Sequence, residues 1–127
     1  MKYIYKQAMR MALSNGEKYH VACIVYRRKR PIYIGINSSK QDLRFARRVK
    51  DGSLISSLHA EMDALKHTQP GDRLEVRRFL KDGSMTMARP CVYCQRHIHK
   101  SGITRVTYTN WKGEFVRLLN EKPPTTT

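Results

Sequence analysis

Between Lys2 and Leu13, Ile4, Ala8, Met11 and Ala12 recur at helical spacing, while Lys2, Lys6 and Arg10 stand four apart on another face. The pattern predicts an amphipathic first helix, closed by Ser14-Asn15-Gly16. Residues His20–Tyr26 and Ile32–Ile36 are short runs rich in β-branched and apolar side chains, separated by Arg27-Arg28-Lys29-Arg30-Pro31. They predict two strands joined as a hairpin. From Asn37 to Ser57 no period is sustained and Ser, Lys, Arg and Asp dominate, so a long loop is expected, with one short helical turn around Leu43–Val49. A loop of that length in a small domain is usually functional or mobile.

Helical spacing returns with Leu58, Met62 and Leu65, giving a helix over Leu58–His67 that Thr68-Gln69-Pro70-Gly71 ends. The runs Leu74–Leu80 and Ser84–Ala88 flank Asp82-Gly83, a dipeptide suited to a hairpin turn, and Arg77 and Arg78 mark the first of the two as an edge strand. Pro90 opens a helix at its first turn that runs through Ile98 to Ser101-Gly102. Ile103–Thr109 then reads as a strand. Asn110-Trp111-Lys112-Gly113 predicts a hairpin turn into a last strand over Glu114–Leu119, the alternative being two turns of helix over Glu114–Asn120. The expected organisation is one domain over residues 1–120 and a disordered tail over 121–127, where Pro-Pro and three threonines leave nothing to pack.

Composition narrows the class. A chain of 127 residues with 40% apolar side chains is a single globular domain, which excludes wholesale disorder. Its 25 basic residues against 10 acidic ones leave a net charge of +15, which favours anionic partners such as nucleotides or nucleic acid. The apolar runs are too short for a membrane span and the N-terminus has no apolar signal core, so an intracellular, cytoplasmic protein without membrane contact is expected. Three cysteines make no disulfide framework. Cys23, inside Val21-Ala22-Cys23-Ile24-Val25, reads as a small buried hydrophobe.

The chemistry concentrates in His59-Ala60-Glu61 and Pro90-Cys91-Val92-Tyr93-Cys94, each at the start of an expected helix. One imidazole and two thiolates are ligands that zinc prefers, and three protein ligands leave the fourth position of a catalytic site open. The C-x-x-C spacing at a helix N-terminus also favours thiolate over thiol. Glu61, two residues past the histidine, is placed to move protons without binding the metal. His97 and His99 are two apart and so face different sides of a helix, which makes a second metal site a poor account of them.

H-x-E followed by P-C-x-x-C is the signature of zinc nucleobase deaminases, and on it the chain resembles the cytidine and deoxycytidylate deaminase superfamily, from the first helix to about Leu119. The order of expected elements agrees. The resemblance implies a three-layer α-β-α sandwich around a central mixed sheet of about five strands. It also implies one Zn2+ per chain held by His59, Cys91 and Cys94, with Glu61 as the catalytic proton carrier. The implied reaction is addition of a zinc-activated water at C4 of cytosine and loss of ammonia. Gly35-Ile36-Asn37 is similar to the family segment whose Asn touches the sugar hydroxyl, which makes Asn37 a candidate substrate contact, and backbone amides near Ala60 and Cys91 would orient base and leaving group. The substrate implied is a cytosine nucleoside or nucleotide, and the family's habit of assembling implies a homo-oligomer.

Between Arg27 and Lys50 nine basic residues meet Asp42 alone. Within this stretch Lys40, Arg44, Arg47, Arg48 and Lys50 are candidate phosphate contacts, on a mononucleotide or along a nucleic-acid strand; the plainer account is a solvated basic face. Two other functions therefore stay open: an editing deaminase acting on cytosine or adenine in RNA or single-stranded DNA, and a non-catalytic zinc-stabilised domain that binds nucleic acid.

Overall fold

The structure, a computed structural model, describes residues 2–41, 47–48, 54–55 and 57–118. Helix α1 (Lys2–Leu13) is followed by strands β1 (His20–Arg27) and β2 (Arg30–Ile36), short strands β3 (Ser38–Gln41), β4 (Arg47–Arg48), β5 (Leu54–Ile55) and β6 (Ser57–Leu58), and helix α2 (Ala60–Leu65). Then come β7 (Arg73–Phe79), β8 (Met85–Thr86), α3 (Val92–Lys100), β9 (Arg105–Thr109) and β10 (Phe115–Arg117). The main sheet has six strands, in the order β10-β9-β7-β1-β2 with β8 beside the end of β7. It is mixed: β7 and β9 run parallel across the α3 connection, and the other pairs are antiparallel.

Alternation along β1 builds the layers, since successive side chains of a strand point to opposite faces. Ala22, Ile24 and Tyr26 pack with Ala8 and Ala12 of α1, together with Ile34 and Phe79. On the other face Cys23 and Val25 join Leu74, Val76 and Val106 against Ala60 and Ala64 of α2 and Ile98 of α3. The expected three-layer α/β sandwich is present, and Cys23 is the fully buried small residue its sequence context predicts.

Three expectations need correction. Strand β7 is not an edge: β1 flanks one side and β8 and β9 the other. Its Arg77 is buried, with Nη2 of its guanidinium 2.6 Å from Glu75 and its face over the Tyr5 and Phe115 rings, so a local charge partner takes the place of solvent. Arg47 and Arg48 lie in a strand rather than a helical turn, because pairing with Leu54–Ile55 overrides local propensity; β3 and β6 pair outside them. The remainder of the expected turn, at 43–46 and 49, lies outside the described residues, as does the tail at 121–127. Pro90 precedes α3 instead of opening its first turn, since Cys91 is the N-cap. The terminal ambiguity resolves as the hairpin, with Asn110 Oδ1 accepting from the Lys112 and Glu114 amides at 2.9 Å each. Among the described residues no helix is long and apolar enough to cross a membrane.

Candidate active site

Helix N-termini bring the predicted ligands together. His59 is the N-cap of α2 and Cys91 the N-cap of α3, both with extended backbone and neither using its side chain as a cap. Helical turns begin directly after them, through Asp63 N to His59 O at 3.0 Å and Gln95 N to Cys91 O at 2.9 Å. Cys94, three residues on, lies on the same side of α3 as Cys91, as the helical repeat requires. One ligand atom each from His59, Cys91 and Cys94 lies within 4.8 Å of the others. The same histidine nitrogen, Nδ1, stands 3.2 Å from Cys94 Sγ and 3.7 Å from Cys91 Sγ, so it is the atom that would face an ion held between them.

Cys94 is buried and Cys91 exposed. The hydrogen bond from Cys94 holds the Cys91 thiol down to about 3, with His59 adding to the effect. That bond and burial push the Cys94 thiol well above its usual range. A cation touching both sulfurs replaces the shared proton and favours two thiolates, so this donor set suits zinc. Glu61, the second residue of α2, is 5% exposed, and burial raises its pKa above the ordinary carboxylate value.

Strand β2 fixes α2 in place. Asp63 accepts from the Ile36 amide at 3.1 Å and from the Tyr33 hydroxyl at 3.3 Å, and the His67 ring stacks on Tyr33 at 3.8 Å. Helix α2 is thus tied to β2 through its middle and just past its C-terminus.

A cleft of about 320 Å3 opens beside these groups, lined by the buried Ala60 and Glu61, by His59 and Cys91, and by Tyr19, Asn37, Arg78 and Arg89. Asn37 therefore reaches the site, as does Ala60. Most of its amide is already engaged: Oδ1 accepts from Val21 N at 2.9 Å and from Asn15 Nδ2 at 2.8 Å, and Nδ2 donates to Tyr19 O at 2.9 Å. One Nδ2 hydrogen is left for a ligand. The backbone puts Lys40 in β3 and Arg47 and Arg48 in β4, while their side chains and all of Arg44 and Lys50 lie outside the described residues. Sequence reasoning missed Tyr19, Arg78 and Arg89, which carry no motif; Tyr19 and Arg78 meet because β1 and β7 are paired, with Val21 opposite Arg78.

The family model of the cytidine and deoxycytidylate deaminase zinc-binding region matches residues 1–110. Among solved structures, the dCMP deaminase from the cyanophage S-TIM5 in complex with dCMP and dUMP is similar at 22% identity and a TM-score of 0.58, over 86% of this chain and 79% of that one. The apo form of that enzyme aligns at 22% identity with a TM-score of 0.52, over 87% and 85% of the two chains. No curated protein matches the sequence.

Proposed function

Because the chain belongs to the cytidine and deoxycytidylate deaminase family, we propose that it hydrolytically deaminates a cytosine nucleoside or nucleotide, leaving the uracil form and releasing ammonia. The observation that carries this reading is the convergence of His59, Cys91 and Cys94 beside a buried Glu61 that lines a cleft large enough for one nucleotide. The two thiolates and Nδ1 would hold one zinc per chain. Bound there, zinc supplies a Lewis acid that makes water a usable nucleophile near neutral pH.

The protein's own groups do the rest. Glu61 accepts a proton from the attacking water and delivers it to N3 of the ring as oxygen adds to C4. A second proton, carried the same way, goes to the exocyclic nitrogen as the C4–N4 bond breaks; a C4 carbonyl remains and ammonia leaves. The free Nδ2 hydrogen of Asn37 and the backbone near Ala60 are the substrate contacts in this reading. The S-TIM5 enzyme was crystallised with dCMP and dUMP, which supports a nucleotide as substrate. A homo-oligomer belongs to the same proposal and is read by light scattering.

The net charge of +15 favours a second reading, deamination within RNA or single-stranded DNA. Ammonia release by zinc-loaded protein, measured over cytosine and adenine nucleosides, nucleotides and oligonucleotides, decides between them. Turnover is expected on free cytosine nucleosides or nucleotides. Activity on none of the panel overturns the enzyme reading, and faster turnover of the polymers transfers it to the editing class.

A further inference from the structure

Arginines along the main sheet are mostly engaged by partners of their own. Arg27 is held by Asp72 at 2.9 Å, Arg73 and Arg77 share Glu75 at 3.8 and 2.6 Å, and Arg105 donates to the Gly71 carbonyl at 3.2 Å. Arg78 and Arg89 differ. Among the described residues neither guanidinium has a carboxylate or carbonyl partner. Both line the cleft, whose only carboxylate among its lining residues is Glu61.

Arg78 is also held in place. It is half-buried near the end of β7, and its guanidinium carbon lies 4.7 Å from the centre of the Tyr19 ring, above which Lys18 Nζ stands on its own approach at 5.6 Å. A planar cation stacked on a ring keeps its N–H edges available for an acceptor, and that fork geometry matches the oxygens of a phosphate. Arg89 is exposed, two residues before the ligand Cys91, and adds a second charge at the same mouth. A phosphate monoester carries between one and two negative charges near neutral pH, which two arginines balance.

Resting on the deaminase reading above, we infer that Arg78, stacked on Tyr19, and Arg89 form the phosphate subsite of this cleft, so that the substrate is a cytosine nucleoside monophosphate rather than a free nucleoside. Arg78 is then the residue that sets specificity. The cleft volume of about 320 Å3 favours a single nucleotide over a strand.

The test compares zinc-loaded wild type with Arg78→Gln, Arg89→Gln and Arg78→Lys, and with Lys112→Gln in the exposed β9–β10 turn as a distant charge control. Turnover of dCMP, deoxycytidine and a single-stranded cytosine oligonucleotide is measured, together with calorimetric binding of dUMP and deoxyuridine. Arg78→Gln should lower the preference for dCMP over deoxycytidine by about ten- to a hundredfold, mostly through KM, as loss of a charge-assisted hydrogen bond does. Arg78→Lys should recover part of that preference, because a lysine keeps the charge and loses the fork. Tyr19→Phe should keep it and Tyr19→Ala should reduce it, since the ring and not the hydroxyl supports the guanidinium. An unchanged preference in Arg78→Gln overturns the inference, as does equal loss on both substrates. So does an oligonucleotide turned over faster than dCMP. If wild type deaminates nothing, the proposed function falls and binding decides the subsite: tighter binding of dUMP than of deoxyuridine that Arg78→Gln abolishes supports it, and equal binding of the two overturns it.

Discussion

Gly35 lies directly against the backbone of Ala60: a methyl group on it would stand 2.5 Å from the Ala60 carbonyl oxygen and 2.7 Å from the Ala64 amide nitrogen. Ala60 separates His59 from Glu61, so the spacing between β2 and α2 sets the position of the proposed zinc ligand and of the proposed proton carrier together. Gly35→Ala must push α2 outward, because the atoms it meets are backbone and have no rotamer to change. The substitution should cost about 3 kcal/mol of stability, at the upper end for overpacking, and should weaken zinc retention as well. Urea midpoints taken with and without chelator separate the two effects. Wild-type midpoints and wild-type zinc content would show that the helix yields without cost.

Metal content tests the ligand set. Wild type purified without chelator should carry about one equivalent of zinc, and Cys91→Ser combined with Cys94→Ser should carry less than about a tenth, because one imidazole alone is a weak site. Full retention in the double variant would remove the two sulfurs from the proposal.

Glu61→Gln preserves the shape of the side chain and removes the carboxylate proposed to carry protons. Zinc content and thermal midpoint should stay close to wild type, while turnover falls at least about a hundredfold, the range for loss of a general acid/base. A variant that keeps more than about a tenth of the rate would assign the proton transfers elsewhere.

Arg27 and Asp72 give stability a pH dependence away from the metal ligands. Arg27 Nε and Nη2 donate to the two Asp72 oxygens at 3.0 and 2.9 Å, and these bonds hold the carboxyl below its ordinary 3.8. A carboxylate with a lowered folded pKa stabilises the fold above its unfolded value, and the contribution is lost as pH falls through the folded one. The gap in Tm between wild type and Asp72→Asn should therefore be widest near neutrality and close below about pH 4. A gap that stays constant down to about pH 2.5 would show that the charge contributes nothing.

Much of the molecule was legible from the chain because it is local. The first helix, the β1–β2 and β7–β8 hairpins, and the H-A-E and P-C-x-x-C segments rest on spacings of a few residues, and a helix repeat of 3.6 residues puts Cys91 and Cys94 on one side without help from the rest of the fold. The convergence of His59 with the cysteines was implied by the family resemblance. Other features depend on which strands lie side by side. Arg77 and Arg78 look alike in sequence, and two charges in a row suggest an edge. In the sheet they point to opposite faces, one neutralised by Glu75 beneath α1 and the other laid on Tyr19 at the mouth of the cleft. Tyr19 is 59 residues earlier in the chain and meets Arg78 only through the β1–β7 register, which pairs Val21 with Arg78. Long-range pairing is chosen by the burial of both faces of β1 and β7 at once, a free energy summed over the whole core, and no local pattern carries it.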